Sequence, residues 1–311
     1  MNWPRLLKRS WKTISGKGNS LMTDTTTEQD LILEATGGAE PYNPADLTYA
    51  SSFTSAWKRG IIRVIENLTG RFKLLMLIRK WERDENRHPD FWVSVLDKLQ
   101  IKLTTPQVQL NAIPKEGPLV VVSNHPHGLI DGIVMAHLLS HARDDYKILT
   151  RALLCHVPRI DKYLLPVAFP HEPGAVQTNI QMRKEAISHL KSGGCVALFP
   201  AGTVATSDTW FGPAVDPDWL PFTAKMIRQS GARVLPVFFP GSNSRAYQIA
   251  NKLSVTLRQS LLLHEIKAAM YKNQAPIVGE IIDRDTLDTF EKDGPGLMKF
   301  LKQKTYDLKP I

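Results

Sequence analysis

The stretch SNHPHGLIDG, residues 123–132, places two histidines, an aspartate and two glycines within ten positions. It lies at a join. GPLVVVSN (117–124) is a short β-branched apolar run and reads as a buried strand, whereas DGIVMAHLLSHAR (131–143) has helical periodicity. Three readings of the polar residues are open. Pro126 and Gly128 can shape a turn while Asp131 caps the helix. His125 and His127 with Asp131 can be a fragment of a metal site, although no further His or Cys pair at ligand spacing accompanies them. Or a histidine and Asp131 form a dyad. The positive end of the helix then holds the imidazole neutral, and the aspartate fixes its tautomer. A substrate hydroxyl or amine serves as the nucleophile.

Working outward, strands and helices alternate. YKILTR (146–151), LLPVAF (164–169), CVALFP (195–200), ARVLPVFFPG (232–241) and APIVGEII (275–282) read as strands. Segments 176–194, 218–231, 255–272 and 294–306 read as helices. This order predicts an α/β fold with a mostly parallel sheet flanked by helices. Three polar loops then share one edge: Asn124, His125, His127 and Asp131 after the first strand, PAGTVATSD (200–208) after CVALF, and PGSNSR (240–245) after RVLPVFF. Ligands bind at the carboxyl ends of strands in such sheets, so these loops form a candidate pocket rim.

The chain has 311 residues and 39 Lys+Arg against 30 Asp+Glu. The positive balance favours an anionic partner, and an anionic membrane surface fits better than nucleic acid, since no nucleic-acid-binding motif accompanies the charge. Residues 1–17 are basic, 18–54 read as a flexible acidic linker, 55–110 as a helical membrane-proximal region and 111–311 as the α/β domain. WKRGIIRVIENLTGRFKLLMLIRKW (57–81) carries seven basic residues and one acid with apolar residues at helical spacing. It reads either as a helix packed on the domain or as a basic amphipathic helix lying on anionic lipid, with Gly60 and Gly70 weakening it. No apolar run reaches membrane-spanning length, and the N-terminus lacks the apolar core of a secretory signal. Cys155 and Cys195 sit in apolar stretches and read as buried, reduced thiols, with no metal spacing. His137 and His141 read as surface or packing residues, and Asp144 and Asp145 as ending a helix. FGPAVDPDW (211–219) can be a lid or a membrane-contact loop, but surface packing of Trp210 and Trp219 is the simpler expectation.

SNHPHGLIDG resembles the histidine–acidic block of the glycerolipid acyltransferase superfamily. Members move an acyl chain from acyl-CoA or acyl-carrier protein to a lipid acceptor. The usual block is Asn-His, four residues, then Asp. Here six positions separate His125 from Asp131, a longer spacing similar to that of the bacterial haemolysin-like and ornithine-lipid branch. The resemblance implies His125 as base, Asp131 as its partner and Asn124, His127 and Gly128 at the substrate. ALFPAGTVATSD is similar to the Phe-Pro-Glu-Gly-Thr-Arg-Ser block, matching at Phe199, Pro200, Gly202 and Thr203, with Ala201 for Glu and Val204 for Arg. In the family that Arg helps hold the acceptor phosphate, and valine has no donor to replace it. Arg183, Lys225 or Arg245 then remain to supply positive charge. RVLPVFFPGSNS, with Gly241 and Asn243, resembles the late strand block.

The resemblance implies acyl transfer to a lysolipid hydroxyl, of lysophospholipid or lyso-ornithine-lipid type, by a peripheral protein on the cytoplasmic face of the membrane. It implies no metal and no cofactor beyond the thioester, and backbone N–H groups near Gly128 or Gly202 as oxyanion donors. Two other readings are a thioesterase using the same dyad with water, and a membrane-binding protein with a degenerate site.

Overall fold

A computed structural model describes residues 47–50, 53, 55–151, 160–168 and 174–310, all within a compact unit spanning residues 41–311. The basic 1–17 segment, most of the 18–54 segment and Cys155 lie outside the described residues.

The chain enters through α1 (Ala56–Glu66), one π-helical turn (Asn67–Arg71) and α2 (Phe72–Glu82), which run on as one helical rod over the stretch expected to be helical. The π turn has a visible cause. An alanine Cβ at Gly70 would stand 3.0 Å from the Leu263 carbonyl oxygen, so glycine permits the close approach of that backbone. The turn displaces the Thr69 carbonyl from the regular ladder, and the His264 Nδ1 and Lys267 Nζ donors satisfy it, each at 3.3 Å. Glu66 is fully buried and accepts from Thr48 Oγ1 at 2.6 Å and the Tyr49 N–H at 2.7 Å. Residues 47–50, at the end of the stretch read as a linker, are thereby pinned to the rod.

After α3 (Phe91–Leu99) and α4 (Gln107–Asn111) the alternating part begins with β1 (Leu119–Ser123), α5 (Leu129–Ser140), β2 (Tyr146–Arg151), β3 (Leu164–Val167), α6 (Ala175–Lys191) and β4 (Cys195–Leu198). A two-stranded hairpin follows, β5 (Thr206–Ser207) and β6 (Ala214–Val215). Then come α7 (Phe222–Ser230), β7 (Arg233–Phe238), α8 (Arg245–Leu253), α9 (Val255–Ser260), α10 (Leu262–Ala269), β8 (Ile277–Val278), α11 (Arg284–Asp288) and α12 (Gly294–Tyr306). The main sheet has the order β3-β2-β4-β1-β7-β8, parallel except for β8. The expected parallel α/β sheet is present. Its central strands are apolar on both faces because both are covered. Leu119 and Val121 pack in the layer that includes α3, α5 and α10, while Val120 and Val122 pack with α6, α7 and α12.

Several elements are shorter than expected. The 218–231 helix begins only after Pro221, and the 255–272 helix is interrupted at Leu261. The 275–282 strand shrinks to two residues plus a lone Ile282–Val234 pair, because Pro276 and Gly279 weaken the ladder. Asp145 does not end a helix. It takes both forks of Arg143, at 2.7 and 2.6 Å, while the same guanidinium donates to the carbonyls of Pro114, Gly117 and Gly193. That fully buried arginine ties the amino ends of β1, β2 and β4. The opposite edge of the sheet is thereby left to the polar loops.

Candidate active site

β1 ends in Ser123, and the chain turns through Asn124–Gly128 into α5. Gly128 is the N-cap, with φ 73° and ψ −123°, a conformation in which an L side chain is strained. Asp131 lies in the first turn and is fully buried. Its Oδ2 accepts from His125 Nδ1 at 2.9 Å, from the His127 N–H at 2.8 Å and from the Gly128 N–H at 3.0 Å, while Oδ1 accepts no hydrogen bond from the described residues. An ionised carboxylate only accepts, so Nδ1 carries the proton and Nε2 keeps its lone pair. The His125 ring stacks on Phe199, with centroids 4.1 Å apart and planes 21° from parallel. Phe199 in turn packs against Phe239. The loops after β1, β4 and β7 therefore meet at His125.

The backbone of His125 is held as firmly as its ring. Its carbonyl accepts from the Ala205 N–H at 2.8 Å, and its N–H donates to Asp216 Oδ1 at 3.1 Å. Ala205 and Asp216 are the residues on either side of the β5–β6 hairpin. Asp216 is buried, and its Oδ2 accepts from the Trp219 indole N–H at 3.0 Å. Burial pushes its carboxyl above the ordinary carboxylate range, with the Trp219 and His125 hydrogen bonds pulling partly back. The sequence carried no signal for Asp216, which stands 91 residues from the group it holds. Trp219 is buried rather than surface-packed, whereas Trp210 is half exposed.

The other expected site residues divide. Asn124 bridges β1 to β7, accepting from the Phe239 N–H at 2.7 Å and donating to the Phe239 carbonyl at 2.8 Å, so both ends of its amide are used inside the protein. His127 places Nε2 3.0 Å from the Pro240 carbonyl. Gly241, with φ 94°, is where a Cβ would stand 3.1 Å from that ring. Asn243 is buried, donates its N–H to the Pro126 carbonyl at 3.2 Å and finds no partner for its side-chain Nδ2 among the described residues. Ser244 beside it is gripped by Glu265 of α10 at 2.8 and 2.6 Å. Pro200 is buried and its carbonyl accepts from the Leu220 N–H, and Thr203 sits in the turn beyond it. Arg183 lies on α6 with its guanidinium over the Phe222 ring at 5.0 Å, and no contact described brings it to the loops. Oxyanion donors were expected among the N–H groups near Gly128 or Gly202, and those of the two glycines themselves are engaged within the protein. The first donates to Asp131 and the second to the Phe199 carbonyl at 3.0 Å. Val204, which stands where the similar sequence block has arginine, lies against this turn: a Cβ on Gly128 would stand 3.3 Å from its methyl.

His137 and His141 form an edge-to-face pair 4.7 Å apart. Among the described residues no group of three or more metal-ligating side chains converges. Cys195 is buried, which pushes its thiol up to about 12.

Residues 106–240 match the family described as Acyltransferase. Over that stretch the chain is similar to the acyltransferases of that family. It is 28% identical over 189 residues to a lyso-glycine lipid O-acyltransferase of Bacteroides thetaiotaomicron, a match covering 60% of this chain and 66% of that protein. It is 25% identical over 207 residues to a lyso-glycine lipid O-acyltransferase of Phocaeicola vulgatus, covering 64% and 71%. Among solved structures, the 1-acyl-sn-glycerophosphate (LPA) acyltransferase PlsC from Thermotoga maritima superposes with a TM-score of 0.44 and 16% identity, covering 81% of this chain and 96% of that one. The matched segment begins just before α4 and ends just after β7, so it takes in the first two polar loops and stops at Pro240, where the third begins. Among the described residues no helix is long and apolar enough to cross a membrane.

Proposed function

We propose that this chain transfers an acyl group from acyl-CoA or acyl-carrier protein to the hydroxyl of a lysolipid, with His125 as general base and Asp131 as its partner. The observation that carries the reading is the single Asp131 oxygen 2.9 Å from His125 Nδ1, which leaves Nε2 as the acceptor. As the lysolipid hydroxyl attacks the thioester carbonyl, Nε2 takes its proton, and Asp131 stabilises the imidazolium that forms. The tetrahedral intermediate then expels the thiolate, which takes the proton back from His125. Metal and cofactor have no step in this scheme. The Thr203 and Val204 N–H groups, next to Gly202 and donating to no described residue, are the oxyanion donors in this reading.

The acceptor is an amino-acid lysolipid rather than lysophosphatidate. Val204 offers no fork for a phosphate, and the two relatives are named for a lyso-glycine lipid. The chain works from the cytoplasmic face as a peripheral protein, held by the α1–α2 rod. Trp57, Val64, Leu68, Phe72 and Met76 stand exposed along it, Leu68 by 81%, among Lys58, Arg59, Arg63 and Lys73. The wider π turn reduces the drift of this repeat around the rod. A basic stripe with an apolar edge suits an anionic bilayer.

The test is thioester consumption by the purified chain with acyl-CoA or acyl-carrier protein, offered lyso-glycine lipid, lyso-ornithine lipid and lysophosphatidate, with His125→Ala in parallel. Acylated amino-acid lipid that needs His125 is the expected result. Turnover unchanged in the variant refutes the base assignment. Free fatty acid released without an acceptor points instead to a thioesterase.

A further inference from the structure

We propose that the β5–β6 hairpin is a second lipid contact, which sets the mouth of the candidate active site against an anionic bilayer. The inference rests on the reading of that site as one that acts on a lipid acceptor, and adds an element remote in sequence from the α1–α2 rod.

The tip of the hairpin is Trp210–Phe211. Trp210 is 50% exposed and Phe211 81%, so neither side chain contributes much to the core. Two adjacent aromatics held in water at a turn gain by transfer to an interface, where an indole keeps its N–H wet. Cations brace the hairpin. The Arg245 guanidinium donates to the Gly212 carbonyl at 2.9 Å, and the Lys252 ammonium donates to the Asp208 carbonyl. Both bonds are exposed, so two positive charges flank the aromatic tip, against one acid in the hairpin itself, Asp208.

The surface continues from there. α8 leads into the exposed Leu253 and Val255, and α9 packs along α1, which carries Trp57 and Val64. Exposed apolar groups thus run in steps from the hairpin over the α8–α9 junction to the rod, with Arg245, Lys252, Lys58, Arg59 and Arg63 among them. This charge pattern matches an anionic lipid surface rather than an apolar protein groove. The hairpin is also tied to the chemistry. Its two feet, Ala205 and Asp216, grip the carbonyl and the N–H of His125, so lipid reaching the hairpin lies beside the base.

Phe211→Cys carrying an environment-sensitive dye reads the contact directly, with the labelled unsubstituted chain as blank for Cys155. With vesicles containing phosphatidylglycerol the dye should shift to the blue and be quenched by brominated lipid. Trp210→Ser with Phe211→Ser should weaken vesicle binding by about tenfold or more. A dye that stays in water while the chain sits on vesicles overturns the proposal, as does a double variant that binds undiminished or a full chain that binds no vesicle. The dye needs no turnover, so failure of the acyl-transfer reading and failure of this one are told apart.

Discussion

Asp131→Asn separates charge from shape at the candidate site. Among the described residues, Oδ2 accepts three hydrogen bonds and Oδ1 none. An amide with its oxygen in the place of Oδ2 keeps all three donors satisfied and puts its NH2 where no bond is lost. The turn survives, and His125 still presents a protonated Nδ1 to an acceptor. What disappears is the negative charge facing the imidazolium. Two unit charges 2.9 Å apart interact by about 6 kcal/mol at an effective dielectric of about 20. The amide dipole and the water that reaches the ring, whose side chain is 18% exposed, restore about half of that. About 3 kcal/mol of lost stabilisation in the transition state corresponds to a fall in kcat of about a hundredfold. The assay is steady-state acyl transfer beside thermal unfolding, with KM and Tm expected close to the parent. A fully folded variant with kcat within about threefold of the parent refutes the charge argument.

Two glycines of the rod take the same substitution with opposite signs. Gly60→Ala adds a methyl with nothing within 4 Å and should stabilise the helix by up to about 1 kcal/mol, whereas Gly70→Ala drives its Cβ onto the Leu263 carbonyl and should cost about 1–3 kcal/mol. Denaturant unfolding of both decides it, and shifts of the same sign refute the close approach at the π turn. The pH dependence of stability carries a further signature. Burial raises the Glu66 carboxyl above 4.5 and the Asp216 carboxyl above 3.8, so the folded chain holds both protons more tightly than the unfolded one. That contribution is complete below the ordinary values and is lost as pH rises through the raised ones, the reverse of an ion-paired carboxylate. Unfolding measured upward from those values should show less loss of stability with pH in Glu66→Gln and Asp216→Asn than in the parent; equal slopes would remove both groups as the source.

The parallel sheet was legible because its strands are covered on both faces. Burial on both sides demands an unbroken apolar run, and LVVVS, CVAL and RVLPVF supply one. Where the cover thins the signal fails. β8 is two residues long at the sheet edge, and its flanking Pro276 and Gly279 looked like parts of a longer strand. The loop between β1 and α5 was legible for a different reason: His125 and Asp131 are near in the chain, so their meeting needs only a turn and the start of a helix. The hold of Asp216 on His125 and the bridging of Phe239 by Asn124 join residues 91 and 115 positions apart, and no local pattern encodes them.

One ambiguity was physical rather than a matter of missing information. Capping by Asp131 and pairing of Asp131 with His125 look like rival readings of SNHPHGLIDG. They are the work of one oxygen, which closes the turn by accepting the His127 and Gly128 N–H groups and holds His125 Nδ1 as well. A helix start already favours an anion at this point, so the fold places the charge where the proposed base can use it. Local sequence cannot separate the two roles, since either alone would select the same residue. In the proposed reading, what favours the pairing is the surroundings of the ring: Phe199 stacked on one face, and the two feet of the hairpin on its backbone. A helix cap needs neither of these. A histidine held in one tautomer and one orientation, with Nε2 left to take a proton, needs both.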